Sequence, residues 1–154
     1  MPRFDNIVVA ILVSRFHEEI TEPLLQGALE TVREAGLGEE NVHVFHVAGA
    51  WELPMAGRRA AATGRYDALV ALGCVVRGET PHFDYVAGEA ARGLARVALE
   101  QGVPVGFGLL TTDDEEQARA RSVAGPGNKG REAALAALES VLTLRAIDNG
   151  QPGP

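Results

Sequence analysis

In Val75-Val76-Arg77-Gly78-Glu79-Thr80-Pro81-His82-Phe83-Asp84-Tyr85, a guanidinium, free backbone amides and an imidazole meet between an apolar run and a long helical pattern. Unpaired amides at a helix start favour an anion, and Arg77 beside them offers a bidentate fork. Histidine, with an unperturbed pKa of about 6.5, is the side chain best suited to exchanging protons at neutral pH. The segment reads as a strand-to-helix junction that handles phosphate and moves protons. Thr80 is placed as the N-cap and Pro81 as the first helical residue. His82, in the first turn, reads as a general acid/base or as a solvated side chain, and the charged neighbours Arg77, Glu79 and Asp84 favour the first reading.

A second chemical signal lies in composition. Thirteen of the 14 basic residues are arginine, and the remaining one is Lys129 in Gly125-Pro126-Gly127-Asn128-Lys129-Gly130. A chain that otherwise uses arginine has a reason to place a compact ammonium there, although glycine-rich turns are also ordinary loop chemistry.

Apolar runs of strand length alternate with helical patterns, which predicts an α/β fold with a parallel sheet covered by helices on both faces. The strands are expected at 6–14, 41–47, 67–76 and 103–110. The first helix carries Ile20, Leu24, Leu25, Ala28, Leu29 and Val32 at helical spacing. The second runs from Ala50-Trp51-Glu52-Leu53-Pro54 to near Gly64, and the third from Pro81 to Gln101, stopped by Gly102. A short helix opens at Thr112-Asp113-Asp114-Glu115-Glu116, with acids where the helix dipole is positive. A final helix spans 129–146. Four parallel strands with right-handed crossovers specify a flavodoxin-like three-layer sandwich, whose ligands bind beyond the carboxyl ends of the strands. The candidate residues follow strand ends: Arg15-Phe16-His17, Gly49-Ala50-Trp51-Glu52, and Arg77 to His82.

Taken singly these residues carry two readings. Phe16 offers a stacking face for a planar heterocycle or packs a loop. Trp51 and Glu52 form a pocket wall and an acceptor, or a packed tryptophan beside a dipole-matched acid. His43 and His46, three apart on a strand, point to opposite faces and do not clamp a metal. Cys74 lies within a buried strand and reads as a small core residue. No metal site, dinucleotide fingerprint or Walker motif is expected.

At 154 residues and a formal charge of -7, the chain fits a single domain, with residues 151–154 a frayed tail. No basic run marks a nucleic-acid footprint. The apolar stretch Ile7 to Val13 is far shorter than the ~20 residues of a membrane span. Asp5 and Asn6 do not resemble a signal peptide, so a cytoplasmic protein with no membrane partner is expected.

Five blocks in order resemble the lumazine synthase family of riboflavin biosynthesis: Ser14-Arg15-Phe16, Gly49 to Pro54, Leu72 to Val86, Phe107 to Thr112, and Gly127-Asn128-Lys129-Gly130. The resemblance implies condensation of 5-amino-6-ribitylamino-2,4-pyrimidinedione with 3,4-dihydroxy-2-butanone 4-phosphate, giving 6,7-dimethyl-8-ribityllumazine, phosphate and water. It also implies that no metal, redox cofactor or enzyme nucleophile is used. By resemblance Phe16 stacks on the pyrimidine, Ala50 and Trp51 line the pocket, and Glu52 binds ribityl hydroxyls. The backbone of Val75 and Val76 reads the pyrimidine edge. Gly78, Glu79 and Thr80 hold phosphate with Arg121 supplying charge, and His82 moves protons. Phe107 and Lys129 match positions that the family supplies from a neighbouring subunit, with Lys129 orienting polar groups of the substrate.

Trp51 stands where the family often has a smaller aromatic, Ala48 where proline is frequent and Ser14 where glycine is common. The family forms pentamers, and the uninterrupted spacing from Arg121 to Lys129 is similar to members that pack twelve pentamers into a 60-subunit shell, some with a riboflavin synthase partner. The neighbouring readings are a related riboflavin synthase, disfavoured by Arg121 and the phosphate-suited helix start, and a non-catalytic flavin-binding shell protein, disfavoured by His82, Arg121 and Lys129 occurring together.

Overall fold

A computed structural model describes residues 4–154. The elements follow in the order β1 (Val9–Ser14), α1 (Glu18–Glu34), β2 (Val42–Val47), α2 (Leu53–Ala62), β3 (Ala68–Val76), α3 (His82–Gln101), β4 (Val105–Thr112), α4 (Glu115–Ala120) and α5 (Lys129–Asp148). The strands form one sheet in the order β2-β1-β3-β4, and every pairing is parallel. This is the expected three-layer α/β sandwich of flavodoxin-like type.

The alternation of side chains along each strand explains the layers. In β1, Val9, Ile11 and Val13 join the cluster built with Ile20, Leu24 and Ala28 of α1 and Ala134 and Leu138 of α5. Leu12 points the other way, into a cluster with Leu53 at the start of α2 and Leu94 of α3. Because both faces are covered, every residue of β1 is buried, which is why its sequence is continuously apolar rather than alternating. Ile11, Leu12, Leu69 and Leu72 are among the largest fully buried side chains. Truncating one of them to alanine costs about 2–5 kcal/mol.

The element boundaries shift from the sequence expectation for identifiable reasons. Asn6 is left-handed at φ 59, and the Val8 amide is taken by the Asp67 carboxylate at 2.8 Å. The first ladder therefore begins at Val9 and the third at Ala68. β4 starts later than expected and runs on to Thr112, because Val76 remains paired with it. Thr80 is not the N-cap of α3: Pro81 occupies that position with ψ 6, and the helix begins at His82. The Thr80 hydroxyl instead lies 3.5 Å from the His82 amide. Within the expected start of α4, Asp114 is the cap and accepts from the Gln117 amide at 2.8 Å. Gly102 ends α3 in the left-handed conformation at φ 66, as its sequence position suggested. α5 continues to Asp148, and residues 151–154 are exposed without helix or strand.

Cys74 is 2% exposed in β3. Burial, with smaller contributions from the Glu19 and Glu115 carboxylates, pushes its thiol up from 9.0 to about 11. The thiol is a neutral core group at physiological pH. Folding therefore favours the protonated form, and this contribution is complete below pH 9 and is lost as pH rises towards 11. Chemical unfolding at stepped pH is expected to show the wild type losing up to about 2–3 kcal/mol relative to Cys74→Ala across that window, with a pH-independent difference below it.

Candidate active site

The strand order places β2 and β3 on opposite sides of β1, so the chain leaves β1 and β3 towards different faces and opens a crevice at their carboxyl ends. A cavity of about 630 Å³ lies there. It is lined by Phe16 and His17 after β1, Gly49 to Glu52 after β2, Cys74 to Val76 at the end of β3, and Gly78, Thr80, His82, Phe83, Tyr85 and Val86 around the start of α3. Phe16, Ala50, Trp51, Glu52, Val75, Val76, Gly78, Thr80 and His82, singled out in the sequence, are thus brought together.

Local backbone structure sets the presentation of each wall. The Arg15 amide donates to the Val47 carbonyl at 2.8 Å, and the Phe16 amide donates to the Ala48 carbonyl at 3.2 Å. The turn is therefore tied to the end of β2. His17 then adopts φ 62 and ψ 51 at the N-cap of α1, a left-handed conformation that a non-glycine residue adopts at some cost. Its ring meets Phe16 edge to face at 4.6 Å. Phe16 remains 65% exposed and Trp51 58% exposed, leaving two aromatic faces open to a planar ligand.

The junction from Arg77 to His82 differs from the sequence expectation in one respect. Arg77 is not a free anion-binding fork. Its Nε lies 3.1 Å from Asp113 and its Nη1 3.5 Å from Asp84, while the guanidinium sits 4.4 Å from the Phe83 ring centroid. The Arg77 amide also donates to the Thr112 carbonyl at 2.8 Å. Arg77 thus braces the junction against the end of β4. Among the described residues the amides of Gly78, Glu79 and Thr80 donate to no protein acceptor, which leaves them available to an anion. The Glu79 side chain is exposed and does not line the cavity.

Phe107, Arg121 and Lys129 do not join this cavity. They line a separate cleft of about 200 Å³ along β4, with Gly108 to Thr112. Phe107 is 51% exposed. The Lys129 amide donates to the Arg121 carbonyl at 2.8 Å, which sets the two cationic residues side by side. In the isolated chain the Lys129 ammonium bonds Glu132 at 2.9 Å, and Arg121 Nη1 donates to the Gln117 carbonyl at 2.9 Å. One chain therefore presents an aromatic, imidazole-bearing cavity and, apart from it, a cationic cleft.

Sequence reasoning named His17 among the candidates that follow strand ends but gave Tyr85 no lining role. It also missed that His17, Glu19 and Glu115 bring donor atoms within 4.8 Å of one another, because Glu115 is remote along the chain. Both carboxylates in that group are at least half exposed, and Glu115 also pairs with Arg119 at 3.2 Å. His43 is committed elsewhere, 2.8 Å from the Tyr66 hydroxyl. Among the described residues, no helix is long and apolar enough to cross a membrane.

A family model described as 6,7-dimethyl-8-ribityllumazine synthase matches residues 6–145. The matched span takes in both the cavity and the separate cleft.

Trp51 is the only tryptophan in the sequence. Its emission is expected to change when a planar heterocycle enters the cavity. In the same titration Phe16→Ala should weaken binding by about 1 kcal/mol or more, through the lost ring contact and apolar area.

Proposed function

The chain belongs to the 6,7-dimethyl-8-ribityllumazine synthase family of riboflavin biosynthesis, and we propose that it catalyses that family's condensation. The substrates are 5-amino-6-ribitylamino-2,4-pyrimidinedione and 3,4-dihydroxy-2-butanone 4-phosphate. The products are 6,7-dimethyl-8-ribityllumazine, phosphate and water. The observation that carries this reading is the assembly of Phe16, Trp51, Glu52, Thr80 and His82 around one cavity at the strand-order switch.

The substrate's own amine attacks the ketone, so the chemistry asks the protein for orientation and proton transfer. The pyrimidine stacks on Phe16, beside Trp51 and Ala50, with its polar edge against the backbone of Val75 and Val76. Glu52 accepts from ribityl hydroxyls. The phosphate sits on the free amides of Gly78, Glu79 and Thr80, where fixed donors carry charge without reorganising. His82, at the first residue of α3, gives and takes protons as the imine forms, phosphate leaves and the ring closes.

The cation for that phosphate comes from a second copy. Arg121, Lys129 and Phe107 lie in a cleft of their own, so a complete site forms where the cleft of one subunit meets the cavity of the next. A head-to-tail contact whose rotation closes gives a ring. The ring we propose is the pentamer, with twelve pentamers in a 60-subunit shell and a cytoplasmic location where a riboflavin synthase can take the product.

Mixing purified protein with both substrates is expected to accelerate lumazine fluorescence and phosphate release in equal amounts over the uncatalysed reaction. His82→Ala should lower turnover by about tenfold or more while leaving the sedimentation mass unchanged. Flavin binding without acceleration would instead identify a carrier. A mass matching a lone pentamer at micromolar concentration would contradict the shell.

A further inference from the structure

The loop between α4 and α5 carries both cationic residues of the cleft, and one buried side chain holds it. Asn128 is 1% exposed. Its Nδ2 donates to the Ser122 carbonyl at 2.8 Å and to the Pro23 carbonyl at 3.2 Å. Its Oδ1 accepts from the Arg131 amide at 3.0 Å and so caps α5. Both amide hydrogens and the carbonyl oxygen are thereby used. The Ser122 bond ties the far end of the loop to its near end, and the Pro23 bond docks the loop on α1.

The surroundings admit little else at this position. A Cβ on Gly27 would collide with the Asn128 amide group, and one on Gly130 would collide with the Leu24 carbonyl. Helices α1 and α5 therefore approach closely around Asn128. Aspartate would keep the cap oxygen, but it would lose both donors and turn a buried charge towards two carbonyls. Serine would keep a cap but cannot supply two N–H groups.

The consequence falls on residues 121 and 129. The amide of Lys129, the residue after Asn128, donates to the carbonyl of Arg121, the residue before Ser122. Asn128 and this backbone bond together close the loop like a clasp, with Arg121 and Lys129 at its two ends. We propose that Asn128 is a positioning residue that holds Arg121 and Lys129 as one cationic unit for the phosphate of the substrate, an inference that rests on the functional reading above.

The test pairs kinetics with amide exchange on the assembled protein. Asn128→Ser is expected to raise KM for the butanone phosphate about tenfold or more, as expected for a misaligned charge-assisted contact, and to raise KM for the pyrimidine less. Gly27→Ala, made on α1 rather than in the cleft, should reproduce that selectivity by displacing the Asn128 side chain. Because Asn128 acts through Arg121 and Lys129 together, the double variant with Arg121→Ala should lose clearly less than the sum of the two single effects, whereas independent damage would be additive. Exchange of the Lys129 amide should quicken by about tenfold or more in Asn128→Ser, since its closing bond opens more often.

Turnover by the wild type with an unchanged phosphate KM in both variants, or with additive effects, would overturn the positioning role and leave the synthase reading intact. Absence of turnover by the wild type would remove the synthase reading. Amide exchange then decides the clasp on its own: quickened exchange supports it and unchanged exchange overturns it.

Discussion

The reversal of strand order at β1 is the constraint on which the rest of the molecule depends. β1 is followed by β2 on one side and flanked by β3 on the other, and all three run parallel. Right-handed crossovers then force the connecting helices onto opposite faces of the sheet, with α1 and α5 on one side and α2 and α3 on the other. The loops leaving β1 and β3 have to separate. The gap between them is where Phe16 and His82 face a common space, although they stand far apart in the chain. A sheet with β1 at its edge would have no such gap.

Much of this was legible in the sequence because burial on two faces leaves a strong signal. Val9 to Val13 and Ala68 to Val75 read as strands since each side chain, whichever way it points, meets a helix. Phe16, Trp51 and His82, which line the cavity, stood out in the sequence because each follows a strand end. The boundaries were less legible, since they depend on tertiary partners. Asp67 leaves β3 to bind the Val8 amide, and nothing in its local sequence signals that bond. Arg77 is the clearest failure of local reading. Beside free amides it looks like an anion fork, yet Asp113, distant in sequence, claims it.

The separation of Phe107, Arg121 and Lys129 from the cavity has a structural origin. β4 is the edge strand beyond β3, so residues on its outer rim and in the loop after α4 face away from the β1–β3 crevice. Gly78 and Thr80, by contrast, line the crevice. Within one chain the amides after β3 and the cations of the cleft therefore lie on different surfaces. In the ring proposed above, head-to-tail contact puts them together, so that each subunit would give one half-site to each of two neighbours.

That division is tested most directly by mixing equal amounts of two impaired proteins, His82→Ala and Arg121→Ala, dissociating them and allowing them to reassemble together. In a randomly mixed ring a site is intact when an Arg121→Ala subunit supplies the cavity and a His82→Ala subunit supplies the cleft, which occurs at about a quarter of contacts in a closed head-to-tail ring. Recovery of about a quarter of wild-type turnover is the result this account requires. No recovery from a mixture shown by mass to contain both subunits would mean that the two halves act within one chain, and would contradict it.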